Sequence, residues 1–155
     1  MSELQIVTIY TRGICDWTGS GGYAAILVSG AHRKELSGGF RVTTNNRMDI
    51  IATIEGLKAL KTKCKVQIRN NNLYLVESMV KGWVQRWQDN NWKTKENEDT
   101  ANADLWEHLL DLCSQHEVEF VWLKKNVIDK EINRCDLLAR QAVEREDLPT
   151  DGSSA

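Results

Sequence analysis

The first forty residues alternate between apolar and polar side chains, which is the pattern of strands with one buried face. Three runs show it, at residues 5–11, 22–29 and 33–40, and the sequence GAHR between the second and third is typical of a tight turn. Strands that follow one another through short connections pair antiparallel. The pattern therefore predicts a three-stranded meander at the start of the chain.

From Thr44 onward the spacing changes to three and four residues, which indicates an amphipathic helix. Thr44 or Asn45 is suited to cap its first turn, because a short oxygen-bearing side chain can accept a hydrogen bond from a free backbone N–H. The apolar positions of this helix are Ile50, Ile51, Ile54, Leu57 and Leu60.

Strands and helices alternate in the rest of the chain. Strands are predicted at residues 64–69 and 118–124, and helices at 73–80, 104–117 and 131–144, with one more short helix in the tryptophan-rich segment from Lys81. The order predicts an α/β domain, a mixed sheet with helices on both faces. We expect one domain over residues 1–145 and a disordered tail over 146–155, where the sequence is small and polar.

The amino-acid composition excludes only a few classes of protein. The chain has 155 residues and a formal net charge of −2, which argues against strong non-specific binding of a polyanion. Its four cysteines are scattered without a CxxC pair, so free thiols in a reducing compartment are expected. The sequence shows no signal peptide and no apolar run of membrane length, so a cytoplasmic protein without a membrane partner is predicted.

Three motifs give the chain a family resemblance. They are TTNNRMDIIA, the tryptophan-rich run GWVQRW…NWKT…ADLW, and NRCDLLARQA. Together with the element order, they resemble bacterial ribonuclease H of type 1 over residues 5–142. The resemblance implies the five-stranded ribonuclease H-like fold. It also implies that active members use two Mg²⁺ or Mn²⁺ ions, held by four carboxylates, to cut the RNA strand of an RNA/DNA hybrid.

The catalytic positions implied by this resemblance are only partly acidic here. Asp49 and Asp136 keep a carboxylate, whereas Arg12 and Asn71 occupy the other two carboxylate positions and Asn126 occupies that of a histidine. A permanent guanidinium charge repels a nearby Mg²⁺. We therefore expect no metal cofactor, with Asp49 and Asp136 as residual candidates, and we expect Arg12 to pair with these two acids.

The resemblance also implies a binding surface for nucleic acid. Thr44, Asn45 and Asn46 match a stretch that contacts the minor groove and phosphates of a hybrid, and side-chain amides at a helix N-terminus suit that task. Thr44 with Asn102 matches a phosphate pocket, and Trp83 matches a tryptophan along the DNA channel. Packing is the alternative reading for each tryptophan.

The segment from Lys81 to Asp104, which in the family is basic, has lost that character. Its net charge is −1, and fewer basic residues mean fewer phosphate contacts and weaker binding. The basic residues are Lys81, Arg86, Lys93 and Lys95, and the acidic ones are Asp89, Glu96, Glu98, Asp99 and Asp104.

These observations predict an inactive ribonuclease H-like protein that binds RNA/DNA hybrid or another nucleic acid weakly at most. Two alternatives stay open. A protein-interaction module with a protein partner is favoured by the acidic segment and by Trp17, since aromatic side chains suit protein interfaces. A residual metal-dependent RNA/DNA-hybrid endonuclease is the other.

Overall fold

The structure is a computed structural model that describes residues 3–125 and 127–152. Its strands are β1 (Gln5–Cys15), β2 (Gly21–Ser29), β3 (His32–Phe40), β4 (Cys64–Asn70) and β5 (Glu117–Trp122). Its helices are α1 (Asn45–Lys58), α2 (Leu73–Val80), α3 (Trp83–Asp89), α4 (Ala103–Ser114) and α5 (Lys130–Val143). None of these described helices is long and apolar enough to cross a bilayer.

The five strands form one mixed sheet in the order β3-β2-β1-β4-β5. The first three pair antiparallel, as the short connections predict, and β4 and β5 add parallel to β1. The carboxyl ends of β1, β4 and β5 therefore lie at the same edge of the sheet. Residues that follow these strands are brought close together there.

Helices cover both faces of the sheet, as predicted. The alternation along each strand sends Ala25 and Leu27 to the core under α1 and α4, while Ala24 and Ile26 pack against α5. In α5, the buried thiol of Cys135 contacts this second core. All four cysteines are free, in agreement with their scattered spacing.

Gly13 lets β1 pass in direct contact with α1. A Cβ at this position would lie 2.2 Å from the backbone nitrogen of Asp49, so no other residue fits there without a backbone shift. In return, the Gly13 N–H donates to the Asp49 carboxylate at 2.8 Å. The close approach fixes Asp49 at the end of β1.

The segment after α5 is not free of the domain. We expected residues 146–155 to be disordered. Residues 153–155 lie outside the described residues, and within 146–152 Leu148 is buried and Thr150 forms a β-bridge with Arg41. The carboxylate of Asp151 is also buried, against Arg47. Small polar residues do not by themselves predict such pairing, because the bonds involve the backbone and two distant arginines, Arg41 and Arg47. The boundary at residue 145 stays a prediction.

Candidate active site

A cleft opens at the carboxyl ends of the parallel strands, beside the first turn of α1. Arg12 of β1, Asn71 after β4 and three residues of α1, Asn45, Asn46 and Asp49, contribute to its lining. The fold thus brings residues from both predicted groups, catalytic and nucleic-acid-binding, to one cavity. These residues are far apart in the sequence. They lie close together because β1, β4 and β5 are parallel and end at the same edge of the sheet.

Asp49 lies at the bottom of this cleft with both carboxylate oxygens already bonded. Its Oδ1 accepts from the Gly13 N–H and from Asn70 Nδ2 at 3.1 Å, and its Oδ2 accepts from Asn72 Nδ2 at 2.9 Å. Only 2% of the residue is exposed. Burial raises the pKa of Asp49 above its ordinary value, although these hydrogen bonds and the charge of Arg12 act in the opposite direction.

Asn70 and Asn72 are site residues that the sequence analysis missed. Asn70 also donates to the backbone and hydroxyl oxygens of Thr11, and Asn72 donates to Asn46 while capping α2. The run of three asparagines after β4 was the available signal. Because side chains alternate at the end of a strand, the residues on both sides of Asn71 face inward toward Asp49.

Asp136 of α5 lies between two guanidinium groups. Arg12 Nε is 3.4 Å from its Oδ1, and Arg140 Nε donates to its Oδ2 at 2.7 Å. The predicted ion pair of Arg12 is therefore confirmed for Asp136. Arg12 makes no hydrogen bond or ion pair with Asp49. The carboxylate of Asp49 accepts instead from Gly13, Asn70 and Asn72.

The remaining predicted catalytic positions are neutral. Asn71 Oδ1 is buried and has no hydrogen-bond partner among the described residues, and the residue lines the cleft. Asn126, the predicted counterpart of a histidine, lies outside the described residues.

These side chains do not fit a pair of divalent metal ions. Mg²⁺ needs several free oxygen ligands, preferably carboxylates. Both oxygens of Asp49 accept N–H groups, both oxygens of Asp136 face guanidinium groups, and the Arg12 cation lies between the strand end and α5. The described residues contain no group of three or more His, Cys, Asp or Glu side chains that could hold a metal ion.

Two further acids near the cleft are occupied by local bonds. Asp16 accepts from Thr18 and Ser20, and the Thr18 hydroxyl lowers its pKa. Asp129 caps the first turn of α5. In both acids these bonds go to Oδ1, and neither acid belongs to a group of three or more His, Cys, Asp or Glu side chains placed to hold a metal ion in the described part of the chain.

The residues predicted to bind nucleic acid outside the cleft lie in two places: Thr44 and Asn102 lie around Arg47, and Trp83 lies at the start of α3. Thr44 caps α1 by accepting from the Arg47 N–H at 3.2 Å, and Arg47 Nη1 reaches Asn102 Oδ1 at 3.3 Å. Thr44 and Asn102 are thus linked through Arg47. Trp83 is the first residue of α3, and the ammonium group of Lys81 lies over its ring at 5.6 Å.

Several curated relatives of the chain share one name. The chain is 51% identical over 146 residues to the ribonuclease H of Syntrophus aciditrophicus (strain SB), a match that covers 94% of this chain and 84% of that protein. Other bacterial proteins of the same name, among them one from Moorella thermoacetica, are 43% to 51% identical.

Solved structures show the same fold at low identity. One is described as LC9-RNase H1, a type 1 RNase H with the type 2 active-site motif; its TM-score is 0.81 at 23% identity, covering 92% of this chain and 74% of that one. Another is LC11-RNase H1 in complex with RNA/DNA hybrid, with a TM-score of 0.67 at 20% identity, covering 88% and 96%. The five-stranded ribonuclease H-like fold is confirmed.

The prediction of an inactive protein is wrong in the light of these relatives. It rested on the charges of five positions, whereas the identity to proteins named ribonuclease H extends over 146 residues. The identity over 146 residues is the stronger evidence on activity, compared with the carboxylates missing at positions 12 and 71. The relatives also give no support to a protein-interaction module.

The family assignment agrees with both comparisons. The family model described as RNase H matches residues 4–144, which include every strand and helix of the structure. The chain belongs to the ribonuclease H family.

Proposed function

We propose that the protein binds RNA/DNA hybrid across the cleft and hydrolyses the RNA strand. The observation that carries this proposal is the 51% identity to a curated ribonuclease H over 94% of the chain. A relationship of that extent includes the cleft as well as the core.

The cleft offers the polar groups that an RNA strand requires. Asn45 and Asn46 line it at the first turn of α1, and Asn46 is held in place by a 2.9 Å bond from Asn72. An amide carries both a donor and an acceptor, so it can bond to a 2′-hydroxyl or to a base edge in the minor groove. These contacts favour RNA in a hybrid over duplex DNA.

The solved neighbour in complex with RNA/DNA hybrid supports the same class of substrate. Thr44, Asn102 and Trp83 are proposed as further contacts, on the surface next to the cleft. Of these, Thr44 and Asn102 are both bonded to Arg47, which keeps them on the same part of the surface.

The acids of the cleft differ from those that hold the metal ions of active ribonucleases H. Ribonucleases H use Mg²⁺ or Mn²⁺, but the carboxylates of this cleft do not fit a metal pair. The chain's own residues bind and orient the hybrid. Arg12 pairs with Asp136, and its charge also lowers the pKa of Asp49.

The test is cleavage of a hybrid labelled on either strand, with EDTA, Mg²⁺ or Mn²⁺. We expect cuts in the RNA strand only, and none in duplex DNA. Replacing Asn45 and Asn46 together by Ala should lower kcat/KM by about tenfold, through loss of strand contacts.

Lys34→Ala is the matched control, because Lys34 is exposed on β3 and changes the charge without touching the cleft. It should cleave like the wild type, and a double variant as active as the wild type would exclude Asn45 and Asn46 as strand contacts. If the Syntrophus ribonuclease H cleaves in the same assay while this protein does not under any of the three conditions, hydrolysis is excluded.

A further inference from the structure

Arg12 has hydrogen-bond donors left over after its contacts within the protein. A guanidinium carries five N–H donors. Nη1 donates to the Gly13 carbonyl at 2.9 Å and Nε faces Asp136, but Nη2 has no partner among the described residues. The side chain is 22% exposed and lines the cleft. Its free edge therefore points to a ligand that accepts hydrogen bonds.

Other cations line the same cleft. Lys124 and Lys125 follow β5, are exposed, and have no carboxylate within ion-pair distance in the described part of the chain. Arg140 donates to Asp136 through Nε, and its side chain is 64% exposed. All four side chains can donate to one anion or to neighbouring anions.

The acids of the cleft engage only part of these donors: Asp136 pairs with Arg12 and Arg140 through their Nε atoms, and no described acid pairs with Lys124 or Lys125. Asp49 and Asp16 accept from protein N–H and hydroxyl groups, and Asp136 is shared by two arginines. Glu144, at the end of α5, also lines the cleft. The formal charges of the cleft nearly cancel, so net charge alone does not select a ligand. The unpaired N–H groups of Arg12 suit an oxyanion.

We infer that Arg12 forms a phosphate subsite that binds one backbone phosphodiester of the hybrid directly, without a divalent ion, with Lys124 and Lys125 at its side. This inference rests on the proposed binding of hybrid. A planar guanidinium suits a phosphate because two N–H groups can bond to two of its oxygens. Asn71, beside it in the cleft, is neutral and does not repel the anion.

The test is a phosphate scan in EDTA. A labelled RNA/DNA hybrid is made as a series in which one linkage at a time is a neutral methylphosphonate, and the Kd of each is measured for wild type, Arg12→Ala and Lys34→Ala. We expect wild type and Lys34→Ala to bind equally with and without Mg²⁺ and to lose about tenfold at one linkage. Arg12→Ala should bind the unmodified hybrid about tenfold more weakly and be insensitive at that linkage.

Arg12→Lys serves as a second variant, and it should retain part of the affinity because the charge stays while the planar fork is lost. Sodium phosphate should compete no better than sodium chloride of equal ionic strength, because the subsite takes a phosphate held by the rest of the hybrid. Better competition would assign the site to free phosphate and overturn the inference.

Two further results would overturn it while leaving the proposed function standing: a requirement for Mg²⁺ in wild-type binding, or the same scan pattern for wild type and Arg12→Ala. Cleavage of hybrid measured in parallel separates these cases. If the wild type neither binds nor cleaves hybrid, both proposals fail.

Discussion

At the scale of single residues, the carboxyl group of Asp49 shows how the environment changes an acid. Three N–H groups donate to it, yet burial dominates and raises its pKa. A buried carboxyl with a raised pKa favours its protonated form in the folded state. The stability that the protonated Asp49 contributes is therefore fully present below the pKa that this group has in the unfolded chain. It decreases as the pH rises through the higher pKa of the folded state.

The first prediction compares wild type with Asp49→Asn between pH 3.5 and 7. The ordinary pKa of an aspartate is 3.8, and folding raises it, so wild type should lose free energy of unfolding relative to the variant as the pH increases above that value. Urea unfolding at each pH measures the difference. A difference that stays constant, or that changes in favour of wild type, contradicts the raised pKa.

At the scale of elements, the start of α1 combines a helix cap with residues of the cleft. Thr44 begins the helix, Asn45 and Asn46 line the cleft, and Asp49 points to β1. The cap and the binding surface therefore share one turn of helix. A change at Thr44 can alter stability without any contact to nucleic acid.

Thr44→Ala is expected to lower the free energy of unfolding by about 1 kcal/mol, the usual effect of losing a side-chain N-cap. Thr44→Ser keeps the hydroxyl that accepts from the Arg47 N–H and should stay within a few tenths of a kcal/mol of wild type. Urea unfolding of both variants decides this. Equal stability of the two would show that the cap bond contributes nothing.

The sequence predicted most elements of the fold, because their periodicity is local. The Thr44 cap and the helix after it follow from three- and four-residue spacing, and the meander follows from alternation. In contrast, β1 continues four residues past the predicted end, to Cys15, because β2 pairs with it there. The asparagine contacts around Asp49 depend on which strands are parallel neighbours, which local patterns do not encode.

At the scale of the whole molecule, Arg47 connects distant parts of the chain. Its guanidinium bonds to Asp104 at the start of α4 and to Asp151 after α5, and Asp151 also accepts from the Thr43 hydroxyl. Asp104 is 55% exposed at its side chain, whereas Asp151 is 4% exposed. The two acids therefore contribute differently to stability although they share one partner.

Asp151→Ala should lower the free energy of unfolding by about 3 kcal/mol, because it breaks a buried pair and leaves part of the Arg47 charge uncompensated. Asp104→Ala removes the exposed partner of the same arginine and should cost less than about 1 kcal/mol. Thermal or urea unfolding of the two variants compares them. The opposite order would mean that the segment after α5 adds little to the domain.

The long sequence separation of this pairing has a consequence for protein synthesis. Arg47 emerges from the ribosome 57 residues before Asp104 and 104 residues before Asp151. A nascent chain that has already folded α1 onto the meander therefore carries a guanidinium that is first neutralised at α4 and buried only when the last segment arrives. We therefore expect the domain to mature in two steps, and its resistance to protease should increase sharply when the segment with Asp151 joins the domain.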